Sequence, residues 1–179
     1  GVEQIIEAFG QRIPASPASA LPVVTFTEAV TFHLNGEEIH AFHVDPAHTD
    51  GDAIIHFTKA DVVHMGDTFF NGNYPYVDVS SGGNVDGIIR AADRILASCK
   101  PTTIIIPGHG AAANCDDLRE YRSMVATVRE RVQSEIAKGR TKEQIMAAKI
   151  TADLDPKWGR GFINGDGIVD LTYRSLSNR

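Results

Sequence analysis

At 179 residues, 42% hydrophobic and 22% charged, the chain has the length and balance of one ordinary globular domain with a sizeable core. A net charge of -6, with Lys and Arg in the minority and nowhere clustered, excludes a nucleic-acid surface and leaves a small-molecule substrate as the expected partner. No run approaches the ~18 apolar residues of a membrane span, and the N-terminus lacks the basic flank and apolar core of a signal peptide, so no membrane role is expected and localisation stays open.

Val2, Ile5, Ile6 and Phe9 fall at helical spacing and predict one short helix over residues 2–9. Pro14, Pro17 and Pro22 among Ala and Ser then break regular structure, so residues 1–22 read as a helix plus connector, with the main domain over 23–179. Residues 23–27 and 29–34 are β-prone. Asn35-Gly36 before 37–44 is a hairpin signal, because both residues accept the positive φ of a type I′ turn. His33, His40 and His43 lie on these strands and read as structural or solvent-facing, since strand alternation spreads them over both faces.

Residues 53–58 and 62–64 continue as nearly uninterrupted apolar strands, the pattern of a sheet covered on both faces. Residues 68–83 interleave Phe69, Phe70, Tyr74 and Tyr76 with Asn71, Gly72, Asn73 and Pro75. They read equally as a pocket wall or as aromatics pinning an irregular crossing. Ile88, Ile89, Ala92, Ile95 and Leu96 share one face of a helix over 85–97 with Asn84 as its cap. A buried strand follows over 102–106, and strand, helix, strand implies α/β layers. A long helix over 116–138 stops at Gly139, Thr141 with Gln144 forms a capping box for a short one, and a last helix spans 166–176 behind Trp158 and Phe162. Cys99 and Cys115 match no C-x-x-C pattern, so neither a disulfide framework nor a thiolate metal site is expected. Asp50 and Asp52 suggest a turn rather than a calcium cage. Asn164-Gly165-Asp166-Gly167 fails as an EF-hand loop, because Phe162 and Tyr173 occupy its first and twelfth positions.

The chemistry-bearing residues sit at strand ends: Ala47-His48-Thr49-Asp50-Gly51-Asp52, then Val63-His64-Met65-Gly66-Asp67-Thr68-Phe69-Phe70-Asn71-Gly72, and much later Pro107-Gly108-His109-Gly110. Strand ends converge on one rim of a sheet, and two imidazoles with a carboxylate form a mixed N/O donor set suited to zinc, iron or manganese. Such a set serves metal-assisted hydrolysis, in which a bound water is acidified until hydroxide is available near neutral pH.

In these three motifs the chain resembles the metallo-β-lactamase superfamily of metal-dependent hydrolases, in particular its glyoxalase-II-like members and those known as cyclases. The resemblance covers roughly residues 22–179. It implies that His48 ligates a first metal, Asp67 bridges two ions, zinc foremost, and His109 ligates the second, with none of the three in a separate catalytic role. It also implies an α/β fold corresponding to the C-terminal half of a four-layer αββα sandwich, a mixed sheet with helices on one face. The implied activity is cleavage of an ester-, thioester-, amide- or phosphoester-like bond by metal-bound hydroxide.

Family members carry upstream a His-x-His-x-Asp-His segment that supplies most remaining ligands and the proton-handling Asp. Residues 1–47 contain none. The expectation is therefore a C-terminal part, weak in metal and inactive alone, that pairs with the other half or with a second copy through the uncovered sheet face. Val24, Phe26, Ile39, Ile54 and Ile104, or their strand neighbours, are expected on that face. The alternative function is a non-catalytic association module.

Overall fold

A computed structural model describes residues 3–6 and 10–177. Two short strands, β1 (Gln4–Ile6) and β2 (Gln11–Ile13), form a separate antiparallel pair. The helix expected over 2–9 is therefore replaced by strand at Gln4–Ile6, while Val2 and Phe9 lie outside the described residues. A helical spacing over eight residues gains nothing without a surface to pack on, and Ile5 is half exposed. Residues 14–29 are exposed throughout, with one 3-10 turn at Ala18–Ala20, and the β-prone stretch 23–27 forms no strand.

The body is a five-stranded sheet in the order β3 (Ala29–Leu34), β4 (Glu37–His43), β5 (Ala53–Phe57), β6 (Val62–Phe70), β7 (Ile104–His109). The first three pairings are antiparallel and β6–β7 is parallel, so the sheet is mixed. Asn35 and Gly36 turn the first hairpin with φ of 55° and 75°, the mirror-image turn their side chains permit. Between β6 and β7 runs α1 (Val85–Leu96), capped by Asn84, whose side chain accepts from the Asp86 amide. The long helix α2 (Cys115–Ala137) opens on a capping box of Asn114 and Asp117 and ends before Gly139, whose φ of 75° suits a left-handed C-terminal residue. Thr141 and Gln144 cap α3 (Lys142–Ala147). A short α4 (Asp155–Trp158) then precedes α5 (Gly165–Ser177), where the Asn164 side chain accepts from the Gly167 amide. The EF-hand-like tetrapeptide is thus a helix start.

All helices that touch the sheet lie on one face. Phe42, Ile54, Val63, Met65 and Ile105 alternate inward across four strands and meet Ile88, Ile95, Leu118, Tyr121, Val125 and Ile168, each buried. The other face carries Val30, Phe32, Leu34, Ile39, Ile55, Phe57, Ile104 and Ile106, of which Phe32, Leu34 and Ile104 are exposed and the rest half-buried. Two of the five expected open-face residues, Ile39 and Ile104, are there. On β5 it is the strand neighbour Ile55 that takes this face, while Ile54, paired with Phe42, is fully buried on the helix side, and Val24 and Phe26 belong to the irregular connector.

Cys99 and Cys115 are joined in a disulfide, against expectation. The reason lies in the layering: α1 and α2 cover the same face, so the segment after α1 and the first residue of α2 meet once β7 has been threaded between them. No sequence pattern local to either cysteine carries that information.

Candidate functional site

His48 lies in the loop between β4 and β5, Asp67 in β6 and His109 at the end of β7, and the fold brings the three together at one rim of the sheet. The His48 Nε2 atom stands 3.5 Å from Asp67 Oδ2, and His109 Nε2 stands 3.5 Å from Asp67 Oδ1. Each separation exceeds the ~2.7–3.2 Å of a hydrogen bond. It is close to the roughly 3.4 Å edge of a tetrahedron of donors about 2.1 Å from a common ion. Among the described residues no group of three or more His, Cys, Asp and Glu side chains encloses a single point. The geometry is instead a carboxylate with one oxygen turned to each imidazole, an arrangement whose chemistry fits a bridge between two ions.

Each side chain is aimed by its backbone. In β6 the register slips between His64 and Gly66 and again before Phe70, and Gly66 takes a φ of 54°. A bulge of this kind re-aims a side chain, and here it turns Asp67 out of the ladder while Thr68 bonds back to the Met65 carbonyl at 2.8 Å. Gly108 answers it from β7: a Cβ there would lie 2.0 Å from Asp67 Oδ1. Gly110, with φ of 100°, passes the Asn71 carbonyl so closely that a Cβ would stand 2.4 Å from it, and the Asn71 amide donates to the His109 carbonyl at 2.9 Å. The glycines flanking His109 are thus close-approach residues that seat β7 against the Asp67 turn.

His48 is held by its loop and by its ring. Its carbonyl accepts from the Asp78 amide at 2.9 Å, and the Ala47 carbonyl accepts from the Asn84 amide at 2.8 Å at the start of α1. The Asp52 carboxylate accepts from the Thr49 amide and hydroxyl, which spends it on the turn, as the residue pattern suggested. Asp78 closes the far side of the loop. Partial burial alone would raise its carboxyl, but hydrogen bonds from Ser80 and Ser81 win and hold it below its ordinary value. The His48 Nδ1 atom lies 2.8 Å from the Tyr76 carbonyl. A carbonyl only accepts, so Nδ1 is the donor here and Nε2 is the ring nitrogen turned towards Asp67, the atom a metal would take.

An aromatic shelf supports this rim. The Phe70 ring stacks on His109 at 4.6 Å and 17°, Tyr76 meets His48 edge-on at 5.7 Å, and Phe162 lies 5.9 Å from His109. Of the stretch over 68–83, Phe69 and Tyr74 are buried anchors, whereas Phe70 and Tyr76 support the site. Both readings of that stretch therefore apply, to different residues. Phe162, expected to pack the connection before α5, is 54% exposed at the rim. The aromatic spacing of 68–83 hinted at Phe70 and Tyr76, but no signal pointed to Phe162 or to the Tyr76 carbonyl. A cavity of about 390 Å³ bounded by Lys100, Asn114 and Arg119 beside the disulfide is lined by none of the three rim residues. Among the other expected bystanders, His40 Nδ1 lies 3.1 Å from the Thr31 hydroxyl and His43 Nε2 lies 2.8 Å from the Asp50 carbonyl.

A mixed five-stranded sheet with helices on one face is the architecture of half of a metallo-beta-lactamase fold. The chain belongs to the metallo-beta-lactamase superfamily, whose family model matches residues 2–109. Among solved structures it is similar to the sec-alkylsulfatase Pisa1 from Pseudomonas sp. (TM-score 0.66, 17% identity, 91% of this chain and 27% of that one). A double mutant of that sulfatase gives a TM-score of 0.68 at 18% identity, over 88% of this chain and 27% of that one. A metallo-beta-lactamase from Pontibacter korlensis gives 0.50 at 17% identity, over 59% and 49%. The chain thus spans about a quarter of the sulfatase's length, and at these identities the likeness shows the fold alone. A comparison with curated protein sequences finds no match. No helix among the described residues is long and apolar enough to cross a membrane.

Proposed function

We propose that this chain, over residues 23–179, is the C-terminal part of a glyoxalase-II-like or cyclase-like metallo-hydrolase, in which His48, Asp67 and His109 supply half of a dinuclear metal site. The observation that carries the reading is the Asp67 carboxylate set between two imidazole Nε2 atoms at donor-to-donor rather than hydrogen-bond distance. A divalent ion such as zinc would supply Lewis acidity towards the scissile carbonyl or phosphoryl group and an acidified water. The chain's own part is positional. The Tyr76 carbonyl fixes the His48 tautomer, the β6 bulge and Gly108 fix Asp67, and Phe70 fixes the His109 plane. The substrate class is a small ester, thioester, amide or phosphoester. Residues 1–47 hold no His-x-His-x-Asp-His segment, so half the donors and the proton-handling Asp are absent from this sequence, and the chain alone binds metal weakly and does not turn over.

Elemental analysis after dialysis against zinc is expected to give less than one ion per chain, lowered further by His48→Ala, Asp67→Ala or His109→Ala, with no hydrolysis of thioester or β-lactam substrates. Zinc content indifferent to all three substitutions would overturn the site, and robust zinc-dependent turnover would overturn the incompleteness. A second reading, an association module, is favoured by the bare apolar sheet face, and it predicts a homodimer with no metal dependence.

A further inference from the structure

Phe162 stands apart from the other exposed apolar residues. A single exposed Phe is ordinary on a protein surface and by itself signals nothing. This one lies in the connection between α4 and α5, and its ring centroid is 6.0 Å from Phe70, 6.3 Å from Tyr76 and 5.9 Å from His109. Phe70 and Tyr76 are buried behind it, while Phe162 keeps 54% of its surface open.

The connection is also held in place. The Trp158 carbonyl accepts from the Tyr74 amide at 2.9 Å, and the Tyr74 hydroxyl donates to Asp155 at 2.9 Å. Gly161 passes so near Asn73 that a Cβ would stand 2.6 Å from its Oδ1. The α4–α5 connection is therefore docked onto the segment that follows β6, and Phe162 sits on the site rim because the residues just before it are fixed.

Resting on the hydrolase reading above, we propose that Phe162 is a specificity-determining residue. It forms the apolar wall against which an aryl or bulky alkyl group, attached directly beside the scissile bond, packs when that bond lies at the His48/Asp67/His109 rim. Small acyl groups such as acetyl leave this wall wet and are poor substrates. Phe70 and Tyr76, already buried, set the depth of the apolar surface, and Phe162 sets its outer edge.

The test uses the full chain in the presence of zinc and two product-like acids, phenylacetate and acetate, with affinities from NMR titration of the isotopically labelled protein. Phenylacetate is expected to bind about tenfold more tightly than acetate and to move the Phe162 and His109 resonances. Phe162→Ala is expected to bring the ratio of phenylacetate to acetate affinity down to about one, and Phe162→Tyr to restore most of it. Thermal unfolding of each variant separates loss of the wall from loss of the fold. No phenyl preference in the parent chain, or the same preference in Phe162→Ala, would overturn the assignment. Zinc content that ignores His109→Ala is a separate readout: it defeats the metal-site reading without bearing on whether the phenyl preference follows Phe162.

Discussion

The two faces of the five-stranded sheet are built from the same strands, yet one is closed into a core beneath helices and the other stays partly open. Phe42, Ile54, Val63, Met65 and Ile105 are at most 6% exposed in the core they share with the helix layer. On the opposite face Ile104, next to Ile105 in β7, is 49% exposed, and Phe32 and Leu34 on the edge strand β3 are 42% and 59% exposed. Alternation assigns neighbours to opposite faces, but when both are apolar it says only that both faces expect cover. Which face the helices take is decided by the chain between β6 and β7 and after β7. Register then fixes the outcome for every residue at once, as the exchange of Ile54 for its neighbours shows.

The largest test of that contrast is truncation on each side. Ile54→Ala removes a fully buried side chain from the helix-side core and is expected to cost about 2–5 kcal/mol of unfolding free energy by denaturant titration. Ile104→Ala, with half its surface already in water, is expected to cost under about 1 kcal/mol. Equal costs would mean that the second face is covered in solution.

The helix layer has a covalent tie that the bare face lacks. Cys99 and Cys115 are 16 residues apart, and the loop they close contains β7 and His109. Cys99→Ser with Cys115→Ser is expected to lower stability by about 3 kcal/mol, a loop-closure magnitude. Denaturant unfolding with and without reductant measures it, and a parent chain insensitive to reductant would show that the link is not formed.

Tyr74 provides a smaller, pH-dependent test of the same side. Burial and then the hydrogen bond to Asp155 push its phenol well above its ordinary value of 10.0. The folded chain therefore keeps a proton that the unfolded chain gives up, so this contribution is whole below pH 10 and erodes as pH rises beyond it. Tyr74→Phe is expected to cost about 1 kcal/mol at neutral pH and to flatten the alkaline part of the stability curve. An unchanged alkaline slope would break the assignment.

These contrasts also mark what the residues disclosed. Asn35-Gly36, the Asn84 cap and the Thr141–Gln144 box are local devices, each satisfied by a neighbour within a few residues, and each sits where the pattern put it. His48, Asp67 and His109 were legible because strand ends in an α/β fold converge, and the structure does bring them together. The disulfide, the seating of Gly108 against Asp67 and the position of Phe162 were not legible, since each depends on two segments that meet only after the layers assemble. The strand at Gln4–Ile6 marks the opposite limit: a helical spacing with no partner face decides nothing.

The smallest effect on stability carries the most about the bare face. Phe32→Lys with Leu34→Lys places two charges on the open side of the edge strand β3, where both side chains are already exposed, so monomer stability is expected to move by less than about 0.5 kcal/mol. Association should respond far more. An apolar sheet face of this kind, ending at the edge strand β3, favours sheet-on-sheet burial, and two charges facing their own symmetry mates would oppose it in a two-fold pairing through β3. Sedimentation of the parent chain is therefore expected to show a dimer or larger species, and the double variant a monomer at the same concentration. A parent chain that is monodisperse and monomeric at high concentration would show that the sheet face does not pair with itself. A dimer that survives both lysines would place the contact elsewhere on the molecule.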